Sequence, residues 1–342
     1  MTLFNLIAPC TLRTSYGLVA MNLATRLDCR IFPINNLDAG LPTKVVESAM
    51  DQSEVDLSLP TVKIYHQFDL AMMGKKKRIG YTFFELDTLS NLEIANINSC
   101  DELWVASKWA KTVCENNKIN IPIYVVPLGV DLNTFNYTGQ YTSGVYTFLS
   151  CGKWEIRKSQ DEIVQAFNTA FEPADNVKLL ISMHNPFHNS SFMDSKKQEY
   201  LSTKMGKVGK IQIVGPFNTQ ADLARIMKMS DCGVFPSKAE GWGLGTLEMM
   251  ACGKSVIVTN YSGHTEYCDK YNSVLIEPSG IELAKDGKWF FGSGKWCKFK
   301  TEDLIEKMRL CYKLGPIVNE RGIFTSKKFS WENTAETVKA LL

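Results

Sequence analysis

The chemistry-bearing residues are densest in one run, Pro236-Ser-Lys-Ala-Glu240-Gly-Trp242-Gly243-Leu244-Gly245-Thr246-Leu-Glu248-Met-Met-Ala-Cys-Gly253. An apolar stretch ending in Phe235 reads as a strand, the glycines as a turn, and the segment from about Gly245–Thr246 as a helix. Such a turn bares backbone N–H groups at a helix N-terminus, where the dipole favours a diphosphate. Glycines at 241, 243 and 245 permit close backbone approach and positive φ. Glu240 and Glu248 bracket the turn, and carboxylates accept hydrogen bonds from vicinal hydroxyls. Two polyols joined through phosphates, as in a sugar nucleotide, would suit that layout. A surface glutamate beside an ordinary glycine turn has the same composition, so the run alone leaves both readings open.

A second run, Ser150-Cys-Gly152-Lys153-Trp-Glu-Ile-Arg157-Lys158-Ser159, falls where another strand gives way to a helix. Lys153, Arg157 and Lys158 there suit a pyrophosphate and could stabilise a departing one. A solvated basic turn is the competing reading. Elsewhere, Glu85-Leu-Asp87 has a form that can hold a divalent metal, but a single such tripeptide recurs by chance. His184 and His188 are separated by Pro186, which favours a loop over a zinc-binding helix face. His66 reads as an interior or cleft-edge histidine, and His264 as a cleft-side one. Lys75-Lys-Lys-Arg78 reads as a solvated turn, or as a contact to an anionic membrane surface at about 1 kcal/mol per charge.

Parallel sheets must position these turns. Short apolar runs at 3–8, 62–65, 78–83, 102–106 and 123–127 alternate with helical patterns at 17–27 and 108–116, the latter behind a Ser107 cap. A polar, turn-rich segment at 135–144 breaks the rhythm and reads as a linker. Strands at 146–150, 177–182, 211–214, 233–235, 255–258 and 273–276 then alternate with helices at 159–171, 221–229 and 246–251. Alternation in both halves predicts two Rossmann-like α/β domains that bind ligands beyond the carboxyl ends of their strands.

The 342 residues suit two domains. The formal net charge of +2 argues against a nucleic-acid-binding surface. Ten scattered cysteines with no C-x-x-C read as reduced thiols of a cytoplasmic protein, and the apolar start ending at Pro9 as a first strand rather than a leader. No G-x-G-x-x-G follows that strand, which disfavours a dinucleotide-dependent dehydrogenase.

The two runs together resemble the retaining GT-B glycosyltransferases of family 4, the glycosyl transferases group 1. Their E-x7-E pattern is matched by Glu240 and Glu248, their "GR-x-x-x-x-KG" by Gly152-Lys153 and Lys158-Ser159, and their "G-x-x-EY" by Gly263-His-Thr-Glu266-Tyr267. Pro127-Leu-Gly129-Val-Asp131 with Phe135 matches "PNGVD-x-x-x-F", and Tyr81-Thr-Phe-Phe-Glu85 resembles "YTMFE". Lys153 stands where the family has Arg, Trp242 where it has Phe, and Ser15-Tyr16-Gly17 forms a thinner loop than its usual Gly-Gly. Glu85 occupies the strand end where the family often has His.

The resemblance implies an acceptor domain at 1–142, a donor domain at 143–325 facing it across a cleft, and a C-terminal helix over 326–342 returning to the first. A hinge is expected near 137–144 and before Trp331. It implies a hexosyltransferase that needs neither metal nor cofactor, with Lys153, Lys158, Glu240 and Glu85 in the reaction. Donor contacts would come from Tyr16, Gly17, Gly152, Arg157, Trp242, Gly243, Leu244, Gly245, Thr246 and Glu248. GDP-mannose is the expected donor and UDP-glucose the next, with a glycan, glycoprotein or lipid-linked acceptor. The expected protein is a monomer or homodimer, cytoplasmic, with peripheral membrane contact an option. A sugar-nucleotide epimerase and a non-catalytic nucleotide-sugar-binding module are the competing classes.

Overall fold

A computed structural model describes residues 3–50, 56–139 and 144–342. The chain divides into two compact units, Met1–Gly129 with Phe329–Leu342, and Val130–Lys328. The boundary expected at 142/143, and part of the linker around it, lie outside the described residues.

The first unit runs β1 (Phe4–Ala8), α1 (Ser15–Arg26), β2 (Cys29–Pro33), α2 (Thr43–Met50), β3 (Thr61–Ile64), β4 (Arg78–Thr82), α3 (Asn91–Asn98), β5 (Glu102–Val105), α4 (Lys108–Asn116) and β6 (Ile123–Val125). Its six strands form a parallel sheet in the order β2-β1-β3-β4-β5-β6. The Ser107 hydroxyl accepts from the Ala110 amide, so the cap read from sequence starts α4.

The second unit begins with β7 (Tyr146–Cys151), α5 (Gln160–Ala170), β8 (Val177–Ser182), α6 (Ser190–Leu201), α7 (Lys204–Lys207) and β9 (Ile211–Ile213). It continues with α8 (Gln220–Met229), β10 (Cys232–Phe235), α9 (Leu244–Ala251), β11 (Ser255–Thr259) and β12 (Val274–Ile276). Its parallel sheet has the order β12-β11-β10-β7-β8-β9. β8 and β9 extend the sheet to one side of β7, while β10, β11 and β12 extend it to the other. The order therefore reverses between β7 and β10, where open α/β sheets bind ligands. Every residue of β11 is buried, as expected of a strand covered on both faces.

An antiparallel hairpin, β13 (Gly280–Lys285) and β14 (Phe291–Lys298), interrupts the parallel pattern. α10 (Thr301–Leu314) and α11 (Glu320–Lys328) follow it. The last helix, α12 (Trp331–Leu341), belongs to the first unit. Trp331 and Val338 are buried, Thr334 Oγ1 donates to the Pro127 carbonyl at 2.9 Å, and Arg26 pairs with Glu332 at 2.8 Å. A Cβ on Gly129 would lie 2.3 Å from the Trp331 nitrogen, so only glycine admits this docking. None of the ten cysteines is in a disulfide. Among the described residues, no helix is long and apolar enough to cross a membrane.

Candidate active site

Two turns leave the sheet side by side at the carboxyl ends of β7 and β10. After β7, Gly152 (φ +146°) redirects the chain. The Trp154 indole N–H then donates to the Tyr200 hydroxyl at 2.9 Å, and the Asn185 amide donates to the Trp154 carbonyl at 2.7 Å. Residues 156–158 make a single tight turn that ends at Ser159 in the left-handed region, from which α5 starts. Trp154 thus anchors a short loop that carries four charged side chains, Lys153, Glu155, Arg157 and Lys158.

Those charges alternate along a chain. Lys153 Nζ lies 2.8 Å from Glu155 Oε1, and Glu155 Oε2 is 2.7 Å from the Arg157 guanidinium. Arg157 donates to the Ala239 carbonyl at 2.5 Å and lies 3.2 Å from Glu240 Oε2. Lys158 Nζ reaches Glu240 Oε1 at 2.5 Å. Glu155, Arg157 and Glu240 are buried, whereas the lysines at the two ends are partly open. Three cations therefore surround two carboxylates, with the accessible charge at both ends positive. Burial alone would raise the Glu240 carboxyl, but Lys158 and Arg157 outweigh it and hold the group well below the usual range. In this arrangement Arg157 faces inward and fixes the second turn through Ala239 and Glu240.

That second turn is held from both sides. Lys238 N–H donates to the Arg157 carbonyl at 2.8 Å, and Glu240 N–H to Ser262 Oγ at 2.8 Å. The Gly263 amide returns to the Glu240 carbonyl at 2.9 Å, and the Tyr267 hydroxyl donates to the Gly243 carbonyl at 2.7 Å. Gly243 has φ +96° and immediately precedes α9. Trp242 is buried against the Tyr267 ring, with centroids 4.9 Å apart. Gly243, Leu244 and Gly245 stay half-buried, leaving the start of α9 approachable, while Thr246 is buried with its hydroxyl 3.3 Å from His264 Nε2.

Glu248, one turn into α9, is buried, and desolvation pushes its carboxyl up to about 8. Burial pushes His264 down to about 4, so it is a neutral ring beneath the turn. The sequence offers His264 as a cleft-side residue, whereas the parts of Glu155 and Ser262 emerge from the structure. Their signal was present: Glu155 sits among three cations, and Ser262 adjoins the glycine of the "G-x-x-EY" match.

In the first unit, Tyr16 and Gly17 lie in the first turn of α1 behind a Thr14 cap, rather than in a glycine loop. A Cβ on Gly17 would meet the Thr11 carbonyl at 2.0 Å, so glycine there serves helix packing. The Tyr16 hydroxyl donates to the Phe83 carbonyl at 2.6 Å, and its ring lies 4.6 Å from that of His66. Burial raises the Tyr16 phenol, and the half-buried Glu85 adds to the shift.

Residues 141–290 match the family model "Glycosyl transferases group 1". A glycosyltransferase of Methanocaldococcus jannaschii is 27% identical over 287 residues, covering 83% of this chain and 68% of its own length. A GDP-mannose-dependent alpha-(1-6)-phosphatidylinositol dimannoside mannosyltransferase of Mycobacterium tuberculosis is 25% identical over 149 residues, covering 41% of this chain and 36% of its own. Among solved structures, Anabaena HepE in complex with UDP and glucose superposes with a TM-score of 0.73 at 12% identity, covering 100% of this chain and 99% of that one. Residues 141–290, within the second unit, thus carry the glycosyl transferases group 1 match with the E-x7-E turn at the sheet's switch point, and the two parallel α/β units have the GT-B fold.

Proposed function

We propose that the protein transfers a hexose, with retention and without a metal, from a nucleotide sugar to a glycan, glycoprotein or lipid-linked acceptor. GDP-mannose is the first candidate donor and UDP-glucose the second. The observation that carries the reading is the charge chain from Lys153 to Lys158, which ends in accessible ammonium groups beside the open start of α9. The distant mannosyltransferase relative supports GDP-mannose, and the neighbour bound to UDP and glucose supports the alternative.

In this proposal, Lys153, Lys158 and the α9 amides take the donor diphosphate and stabilise it as it leaves. They supply the positive charge that a divalent ion provides elsewhere. Glu248 receives the ribose hydroxyls and Glu240 the hydroxyls of the transferred sugar. The departing phosphate takes the acceptor's proton. Tyr16, Gly17 and Glu85 are the proposed contacts of the first unit with sugar or acceptor. Calorimetric titration with a panel of sugar nucleotides identifies the donor. Transfer should persist in excess EDTA, and product NMR should show the donor's anomeric configuration. Inverted product overturns retention, and abolition by EDTA with rescue by manganese restores the Glu85-Leu-Asp87 metal reading. Epimerised sugar formed without acceptor replaces the transferase with an epimerase.

A further inference from the structure

The hairpin β13–β14 has one face built into the protein and one face open. Inward, Glu282 Oε1 receives Lys238 Nζ at 2.6 Å and the Trp296 indole N–H at 3.0 Å, and Ala284, Trp296 and Cys297 are buried. The Cys297 amide donates to the Lys238 carbonyl at 2.9 Å, tying the hairpin to the glycine turn's own strand connection. Outward, Ile281, Leu283, Trp289 and Phe291 are 53, 51, 51 and 71% exposed. The tip is ordered by Asp286, whose carboxylate accepts the amides of Lys288, Trp289 and Phe290 at 2.7–2.9 Å. The Lys288 ammonium donates to the Phe187 carbonyl, and the half-exposed Phe187 ring lies 5.4 Å from that of Trp289.

An open sheet face normally carries polar side chains, and a cluster of exposed apolar groups marks a covered surface. Charge says what covers it. Residues 280–298 hold Lys285, Lys288, Lys295 and Lys298 against two acids, Glu282 and Asp286. Glu282 is paired inward with Lys238, and Asp286 is spent on the tip amides. A second copy of the same face would set lysines against lysines. An anionic lipid surface complements them, receives Trp and Phe at headgroup depth, and lets lysine stems lie over acyl chains. The basic run at 75–78 is a weaker candidate, because Lys77 is 3.1 Å from Glu102 and Arg78 is 2.9 Å from Asp101.

We infer that the β13–β14 hairpin docks on the surface of an anionic lipid bilayer. Lys153 Nζ lies 5.4 Å from the Phe187 ring centroid, so docking sets the candidate diphosphate lysine near headgroup level. That placement suits a lipid-linked acceptor if the proposed transferase reading holds, while the docking itself does not depend on it.

The test is flotation of the full chain with vesicles of phosphatidylcholine, with and without phosphatidylglycerol, at low and high salt. The wild type should float only with the anionic vesicles, and less in high salt. Trp289→Ser with Phe291→Ser should weaken partition at least ~10-fold. Lys285→Glu with Lys295→Glu should weaken it by about fivefold or more per charge. Unchanged thermal unfolding shows that each variant is folded. A wild type that stays in solution, variants that float like wild type, or a dimer broken by the Trp289 and Phe291 changes without vesicle binding would each overturn the inference. Vesicle binding by a wild type that binds no nucleoside diphosphate would instead overturn the transferase reading and leave the docking intact.

Discussion

Glu248 is the residue whose environment disagrees most with its chemistry. Its carboxyl keeps a proton up to about pH 8 in the folded chain and loses it near 4.5 when unfolded. Between those values the folded state binds more protons, so stability should fall as pH rises from about 4.5 to about 8. Glu248→Gln should flatten that slope, which urea unfolding across the pH range would reveal; an unchanged slope would remove the assignment. If Glu248 receives ribose hydroxyls as a carboxylate, binding of bare GDP or UDP near neutral pH should release a proton in the wild type and none in Glu248→Gln. Titration in buffers of different ionisation enthalpy measures this. Lys158 is open at one end of the charge chain, so Lys158→Ala should lower kcat/KM by about 10²–10³-fold. Wild-type turnover in that variant would take Lys158 out of the reaction.

At the scale of elements, the turn before α9 separates glycines needed for folding from glycines needed for approach. Gly243 has φ +96°, and a Cβ there would lie 2.6 Å from His264 Nε2 and 2.9 Å from the Tyr267 hydroxyl. Gly243→Ala should cost about 2 kcal/mol or more of unfolding free energy. The nearest atoms to a Cβ on Gly245 are the Phe235 ring at 3.4 Å and the Cys151 sulfur at 3.6 Å. Gly245→Ala should therefore leave the fold within about 1 kcal/mol of wild type while weakening nucleotide binding. Denaturant midpoints read beside calorimetric affinities check both, and equal behaviour of the two variants would sink the distinction. The strands beside this turn were legible because buried parallel strands are continuous apolar runs. The hairpin at 280–298 was not recognised, although Ile281-Glu-Leu283 alternates and Asp286-Gly287 is a turn dipeptide. Glycines at 280, 287, 292 and 294 dilute its strand character.

At the scale of the molecule, α12 is far in sequence from the unit it completes. Trp331 is buried against Gly129, and Ala335 and Val338 are buried along the same helix. Trp331→Ala should destabilise the first unit by about 3–5 kcal/mol and leave the second nearly unchanged. Hydrogen exchange that resolves the units would show faster exchange confined to residues before 130 and in α12; uniform acceleration would contradict this. The sequence alone determined the alternating strands and helices and the E-x7-E turn, because each depends on local spacing and on motifs a few residues long, whereas the return of the last helix was only implied by the family resemblance. Only the tertiary structure decided that Arg157 turns inward, that Glu155 joins Lys153 to it, that Glu248 is protonated and His264 neutral, and that Tyr16 and Gly17 belong to a helix. Those outcomes depend on which segments meet beyond the strand ends and how much water they exclude. Burial and charge pairing across some 80 residues of chain leave no periodic trace in the sequence.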